Sequence, residues 1–287
     1  MFKYIFFIIT LSTVLLGCIK NNPDPSWISV NTWTLQNNPD LGGVEGPLNH
    51  NITEAWVYID DELIGVFQVP FKIPVLKKGT STLKIYPAIK NNGISATKKI
   101  YPFLEPYVIT ANLVQNETLV INPITSYVTN ISIWKEDFED VNVKITDDPN
   151  TSAAHMQFVN EDLNWFNGNY YAKIDLNETD SMWVAYTDAL SLPKGKECYL
   201  EIDYLVTNNV TQGVLFSSPS GITPNPYMRL NRQEEGTTTW KKMYIDLKEL
   251  VGAAPANTQY LQSFTAFLDD DKTATSIKID NLKIIHF

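Results

Sequence analysis

The 287-residue sequence predicts an all-β chain folded as two consecutive units. Three observations carry this. Short runs rich in Val, Ile, Thr, Phe, Tyr and Trp recur along the chain, bounded by Gly, Pro, Asn or Asp. Their side chains alternate with period two, as where Val57 and Ile59 share one face against Trp56 and Tyr58 on the other. No segment holds a helical period over several turns, and only Lys248 to Ala254 has the pattern for one or two turns of helix. Hydrophobic residues make up 44% and aromatics 12%, enough for packed cores in one or two domains.

The chain opens with Lys3, an apolar run from Tyr4 to Leu16, and Gly17. A positive start, a short apolar stretch and a small residue describe a secretory signal. The run is shorter than the roughly 20 residues a bilayer span needs. Leu15-Leu16-Gly17-Cys18 resembles the lipobox of bacterial lipoproteins. That resemblance implies cleavage before Cys18 and a diacylglycerol on its thiol; the plainer alternative is a secretory signal with an incidental cysteine. Residues 1–17 are thus expected to be a lipoprotein signal peptide. Residues 18–26, polar and carrying Pro23 and Pro25, are expected to be a lipidated tether at the outer membrane. Whether it faces the periplasm or the exterior stays open.

The first unit spans 27–122. A strand from Ala55 to Ile59, the acidic turn Asp60-Asp61-Glu62 and a return strand from Leu63 predict a hairpin. Pro70 and Pro74 predict an edge strand or a corner, and Lys77-Lys78-Gly79 predicts the next turn. From Trp56 to Pro87 the arrangement resembles PEGA-type and other immunoglobulin-like sandwiches of bacterial surface proteins. Pro70 to Pro102, with Asn91 to Thr97, is similar to a module of Bacteroidetes lipoproteins. The resemblance implies a β-sandwich serving as spacer or protein-binding platform. The boundary falls near 123–134, after the strand Thr118 to Ile121.

The second unit spans 134–287. It opens with Glu136 to Asp140 and closes with Ile277 to Ile284. Between them lie Leu192 to Leu200 and Thr239 to Leu247. This order resembles the galactose-binding-like jelly rolls of carbohydrate-binding modules, and implies a β jelly roll. In the closing strand the apolar spacing runs Ile277, Ile279, then Leu282, Ile284, so the face slips by one residue at Asp280-Asn281 and a β-bulge is expected there. In the resembling modules a glutamate of the opening Phe-Glu pair and an aspartate of the closing strand help hold a structural calcium. The resemblance implies Glu139 and Asp280 for those roles. Solvated carboxylates or turn hydrogen bonds are the alternative.

The chemistry is sparse. A formal net charge of −10 argues against a nucleic-acid partner. With Cys18 lipidated, Cys198 has no disulfide partner, and its alternation with Leu200, Ile202 and Tyr204 marks a buried, inert thiol. His50, His155 and His286 are scattered, no zinc spacing or nucleophile elbow is present, and no enzyme is expected. Asp269-Asp270-Asp271 reads as a solvated turn. Sugar binding asks for aromatic rings that stack on a pyranose face beside polar groups for its hydroxyls. The stretch Asn160 to Tyr171 offers Trp165 and Tyr170, and Asn225 to Arg229 offers Tyr227 and Arg229. Trp240, in a strand position, reads as structural. The expected function is binding of a glycan or another cell-surface ligand by the jelly roll of a membrane-anchored lipoprotein. A structural or adaptor lipoprotein that binds an envelope protein is the second reading.

Overall fold

A computed structural model of the chain describes residues 23–160, 168–219 and 221–287. The molecule is all-β, a β-sandwich followed by a jelly roll. The first unit contains β1 (Ser26–Val30), β2 (Thr34–Leu35), β3 (Glu54–Ile59), β4 (Glu62–Gln68), β5 (Phe71–Val75), β6 (Gly79–Lys90), β7 (Lys98–Ile100), β8 (Tyr107–Leu113), β9 (Thr118–Ile121) and β10 (Ile124–Thr125). One layer orders β4-β3-β6-β7, with β8 also on β6. The other orders β5-β1-β9, with β1 parallel to β9, and β10 pairs with β2 alongside. Ile28, Val30, Val57, Ile59, Leu83 and Ile85 fill the space between.

Local chemistry explains the joints. Asp60 and Asp61 sit at φ 51° and 64°, the left-handed pair that a two-residue hairpin turn requires, and aspartate tolerates this better than bulkier residues. Asp60 Oδ1 then accepts the Thr82 N–H at 2.9 Å, tying the turn to β6. β5, which contains Pro74, lies at a sheet edge as its proline demands.

The second unit contains β11 (Ser132–Glu136), β12 (Ile145–Asp147), β13 (Gln157–Val159), β14 (Tyr171–Asn177), β15 (Met182–Thr187), β16 (Cys198–Val206), β17 (Val210–Ser218), β18 (Gly221–Leu230), β19 (Lys241–Asp246), helix α1 (Lys248–Ala253), β20 (Gln259–Phe267) and β21 (Ala274–His286). One sheet orders β13-β14-β21-β16-β19, with β11 on β21; the other orders β12-β15-β20-β17-β18. The expected bulge is present. Glu201 faces Lys283 but Asp203 faces Asp280, so β21 carries one extra residue, and Asn281 takes φ 48°. Ile277, Ile279, Leu282 and Ile284 all reach the same core in consequence. Cys198 joins that core, and burial pushes its thiol up to about 12.

The outward face of the larger sheet is covered by the first unit. Tyr199, Tyr244 and Ile285 point out of the jelly roll and complete the core of the sandwich. The turn at Asn91–Gly93 adds itself to the edge strand β19: Asn92 N–H donates to the Tyr244 carbonyl at 2.9 Å, and Asn92 Oδ1 accepts the Asp246 N–H at 2.8 Å. The edge is thereby closed to other strands. Among the described residues no helix is long and apolar enough to cross a membrane.

Candidate functional site

Charged side chains line the covered face beside the shared aromatic core. Glu201 on β16 is 1% exposed. Its carboxylate accepts from the Tyr101 hydroxyl at 2.7 Å and the Tyr127 hydroxyl at 2.9 and 3.1 Å, both from the first unit. Burial, then the Glu201 charge, holds both tyrosines well above the usual phenol range. Lys283 on β21 donates to the Pro47 carbonyl at 2.6 Å and lies 5.5 Å from the Tyr127 ring centroid. Burial brings its ammonium down to about 8.

Where this face emerges from under the sandwich, a cleft of about 600 Å³ opens between the units. Its base is Asp203 on β16 and Lys242 on β19, paired in register, with side chains only 1% and 3% exposed. Lys242 Nζ approaches Asp203 Oδ1 at 3.2 Å and Glu201 Oε2 at 3.7 Å without hydrogen-bond geometry to either. Asn49, from the loop before β3, donates to Asp203 Oδ2 at 2.5 Å. Among the described residues three buried polar atoms here are left without a hydrogen bond: Asn49 Oδ1, Asp203 Oδ1 and Lys242 Nζ. Buried polar atoms are ordinarily paired, and each one that is not costs about 1–3 kcal/mol.

The walls are held firmly. Asn51 donates from its side chain to the Lys242 carbonyl at 3.0 Å, and from its N–H to the Tyr244 hydroxyl at 2.9 Å. Between Asn49 and Asn51, His50 is held below its ordinary pKa by burial and then by the Lys242 charge, so it is neutral at pH 7. Its Nδ1 accepts the Ile52 N–H at 3.3 Å, which leaves the proton on Nε2. Opposite, Trp240 lies half-buried just before β19 and meets Tyr171 edge-on, ring centroids 5.4 Å apart. Arg232 on the rim is gripped by Asp271 at 2.5 and 2.9 Å and by Asp269 at 3.1 Å. The 269–271 turn therefore clamps an arginine as well as meeting solvent. An indole beside hydroxyl, amide, carboxylate and ammonium groups is a surface that suits a polyhydroxylated ring.

The residues singled out by sequence fall elsewhere. Tyr227 and Arg229 are exposed on β18, an edge strand of the other sheet, and do not line the cleft. Tyr170 is 41% exposed, with its N–H bound to Glu139 Oε1 at 2.8 Å. Trp165 and Cys18 lie outside the described residues. Trp240, read as structural, lines the cleft. The signal that could have found this face is apolar residues on both sides of one strand, such as Tyr199 against Leu200 and the consecutive Ile284-Ile285, which marks a sheet covered twice.

Glu139 also accepts from the Asn169 backbone and, at 3.0 Å, from its side chain. Asp280 is buried and accepts from Asn281 at 2.7 and 3.1 Å. Burial first, then the charges of Asp203, Glu139 and Asp137, raises its carboxyl to about 8. A cation would relieve that crowding. Among the described residues, however, no three His, Cys, Asp or Glu side chains converge as a metal's ligands, so backbone carbonyls would have to complete any calcium shell.

No family model and no curated protein matches the chain. Solved structures with a similar course include a family 11 carbohydrate-binding module from Clostridium thermocellum, determined with a β-1,3-1,4-mixed-linked tetrasaccharide. The match covers 54% of this chain and 94% of that one, at 14% identity and TM-score 0.37. A cleaved adhesin domain of Lys-gingipain from Porphyromonas gingivalis covers 53% of this chain and 97% of its own, at 16% identity and TM-score 0.35. A carbohydrate-binding module of the β-sandwich superfamily covers 80% and 83%, at 10% identity and TM-score 0.34. At such scores the likeness says nothing about the cleft, whose reading rests on its own geometry.

Proposed function

We propose that the chain is a lipid-anchored envelope protein that binds a glycan in the cleft between its two units. One observation carries the glycan reading: Asn49 Oδ1, Asp203 Oδ1 and Lys242 Nζ are buried without hydrogen bonds at the base of a cleft that Trp240 also lines. Sugar hydroxyls both donate and accept, so adjacent hydroxyls can serve two acceptors and one donor together. The indole supplies the apolar surface on which a pyranose stacks. Calcium at Glu139 and Asp280 belongs to the same proposal, supported by the crowding of negative charge around Asp280. The anchor is supported by Leu15 to Cys18 alone.

The test is a glycan array probed with the full chain, followed by titration calorimetry on each hit. Trp240→Ala and Asp203→Asn should each weaken a hit at least tenfold, while Tyr227→Ala, a control outside the cleft, leaves it unchanged. Equal affinity in all variants would move the site out of the cleft. For the anchor, Cys18→Ala should shift the protein out of the detergent-extracted membrane fraction, and an unchanged distribution would remove the lipid.

A further inference from the structure

We infer that the saccharide held in this cleft is anionic, carrying a carboxylate or a sulfate; this rests on the glycan reading above. The chain as a whole is acidic, at a net −10. The cleft runs the other way. Among the described residues its one lining carboxylate, Asp203, is countered by Lys242 at 3.2 Å. Arg232 is spent on Asp269 and Asp271. Two lining cations remain, Lys90 at the end of β6 and Lys241 at the start of β19. Among the described residues neither side chain has a hydrogen bond or an ion pair.

Half of the described lysines and arginines have an acid within reach; Lys90 and Lys241 differ from the other unpaired ones in lining the same cleft. Lys77, Lys84, Lys98, Lys99, Lys248 and Lys272 each lie within 4 Å of an acid. Lys90 and Lys241 come from different units and line one cleft because the sandwich docks on the jelly roll. Walls of low dielectric concentrate the field of unpaired charges in a cleft. The depressed pKa of His50, to which the Lys242 charge contributes, is consistent with a locally positive potential. A neutral sugar's hydroxyls can accept hydrogen bonds from these ammonium groups, but a uronate or sulfate ester adds charge–charge attraction and shorter, stronger bonds. The uncharged parts of the ring still use the base of the cleft, so the lysines select among saccharides that the base already accommodates.

The experiment compares two matched pairs on the full chain by calorimetry: an oligogalacturonate with its methyl ester, and a sulfated galactan oligosaccharide with its desulfated form. A neutral mixed-linkage glucan is run alongside. One acid should bind at least tenfold tighter than its neutral partner, and which acid responds identifies the anionic group. Raising NaCl from 50 to 500 mM should remove most of that preference. Lys90→Ala combined with Lys241→Ala should bring the acid down to the affinity of its neutral partner without lowering Tm, since neither side chain holds a partner. Neutral partners that bind as tightly as their acids would overturn the anionic inference and leave the glycan reading standing. Binding of the glucan alone would do the same. Silence from every saccharide, together with a blank glycan array, would overturn both.

Discussion

Replacing Glu201 by alanine should destabilise both units at once. The carboxylate is 1% exposed and is the acceptor for two tyrosine hydroxyls that belong to the other unit, Tyr101 at 2.7 Å and Tyr127 at 2.9 Å. Both rings are buried, so neither hydroxyl can turn to water once the acceptor is gone. Two stranded donors cost about 2–6 kcal/mol together. Lys242 also loses its 3.7 Å neighbour but keeps Asp203 at 3.2 Å. The expected loss is about 4 kcal/mol, the scale for removing one partner of a buried charged group. Glu201→Gln keeps the shape and one acceptor oxygen, and should cost about 1–2 kcal/mol. Tyr101→Phe and Tyr127→Phe added to Glu201→Ala should recover part of the loss, because the stranded hydroxyls are then absent. The assay is urea unfolding followed by tryptophan fluorescence and far-UV dichroism, with hydrogen exchange assigning the loss to each unit. A Glu201→Ala loss below about 1 kcal/mol would refute the reasoning. So would a transition that moves only the second unit.

Two further outcomes are expected. Stability should fall as pH rises beyond about 9, because burial holds the Cys198 thiol up to about 12 and raises Tyr101, Tyr127 and Tyr244 above their usual range. A folded pKa above the unfolded one gives stability that is complete below the unfolded value and lost towards the folded one. Lys283, lowered to about 8, contributes with the opposite sign above that pH. Cys198→Ala should therefore soften the loss between pH 9 and 12 when Tm is followed against pH, and an unchanged profile would contradict the burial of the thiol. If Glu139 and Asp280 share calcium, excess calcium should raise Tm and a chelator lower it, with Asp280→Asn abolishing the difference. Indifference of the full chain to both would remove the ion.

Much of the architecture was readable because it is local. The alternation of Cys198, Leu200 and Ile202 marks a core face, the pair Asp60-Asp61 marks a hairpin, and the uneven spacing at Asp280-Asn281 marks a bulge. Each is decided by residues within a few positions of one another. The cleft is not local. Asn49 meets Asp203 across 154 positions, and period-two alternation says which side chains share a face but not what covers them. Glu201, Asp203, Lys242 and Lys283 have the composition of a solvated face and are buried because the sandwich lies on it. Tyr170, Tyr227 and Arg229 sit in polar, turn-rich stretches, a pattern that marks exposure rather than convergence. Trp240 both packs edge-on against Tyr171 and lines the cleft, and the sequence shows only the packing pattern.

If the chain is anchored at Cys18 as proposed, the place of β1 has a mechanical consequence. β1 lies in the middle of its sheet, antiparallel to β5 over five residue pairs from Ser26 to Val30, and parallel to β9 from Trp27 to Val30. A pull from such an anchor would enter along a central strand, not a loose edge. Hydrogen bonds on both flanks are strained together in shear instead of opening one after another as in a zip. If the proposed anchor and glycan are correct, load from a captured polymer would reach the anchor through this central strand.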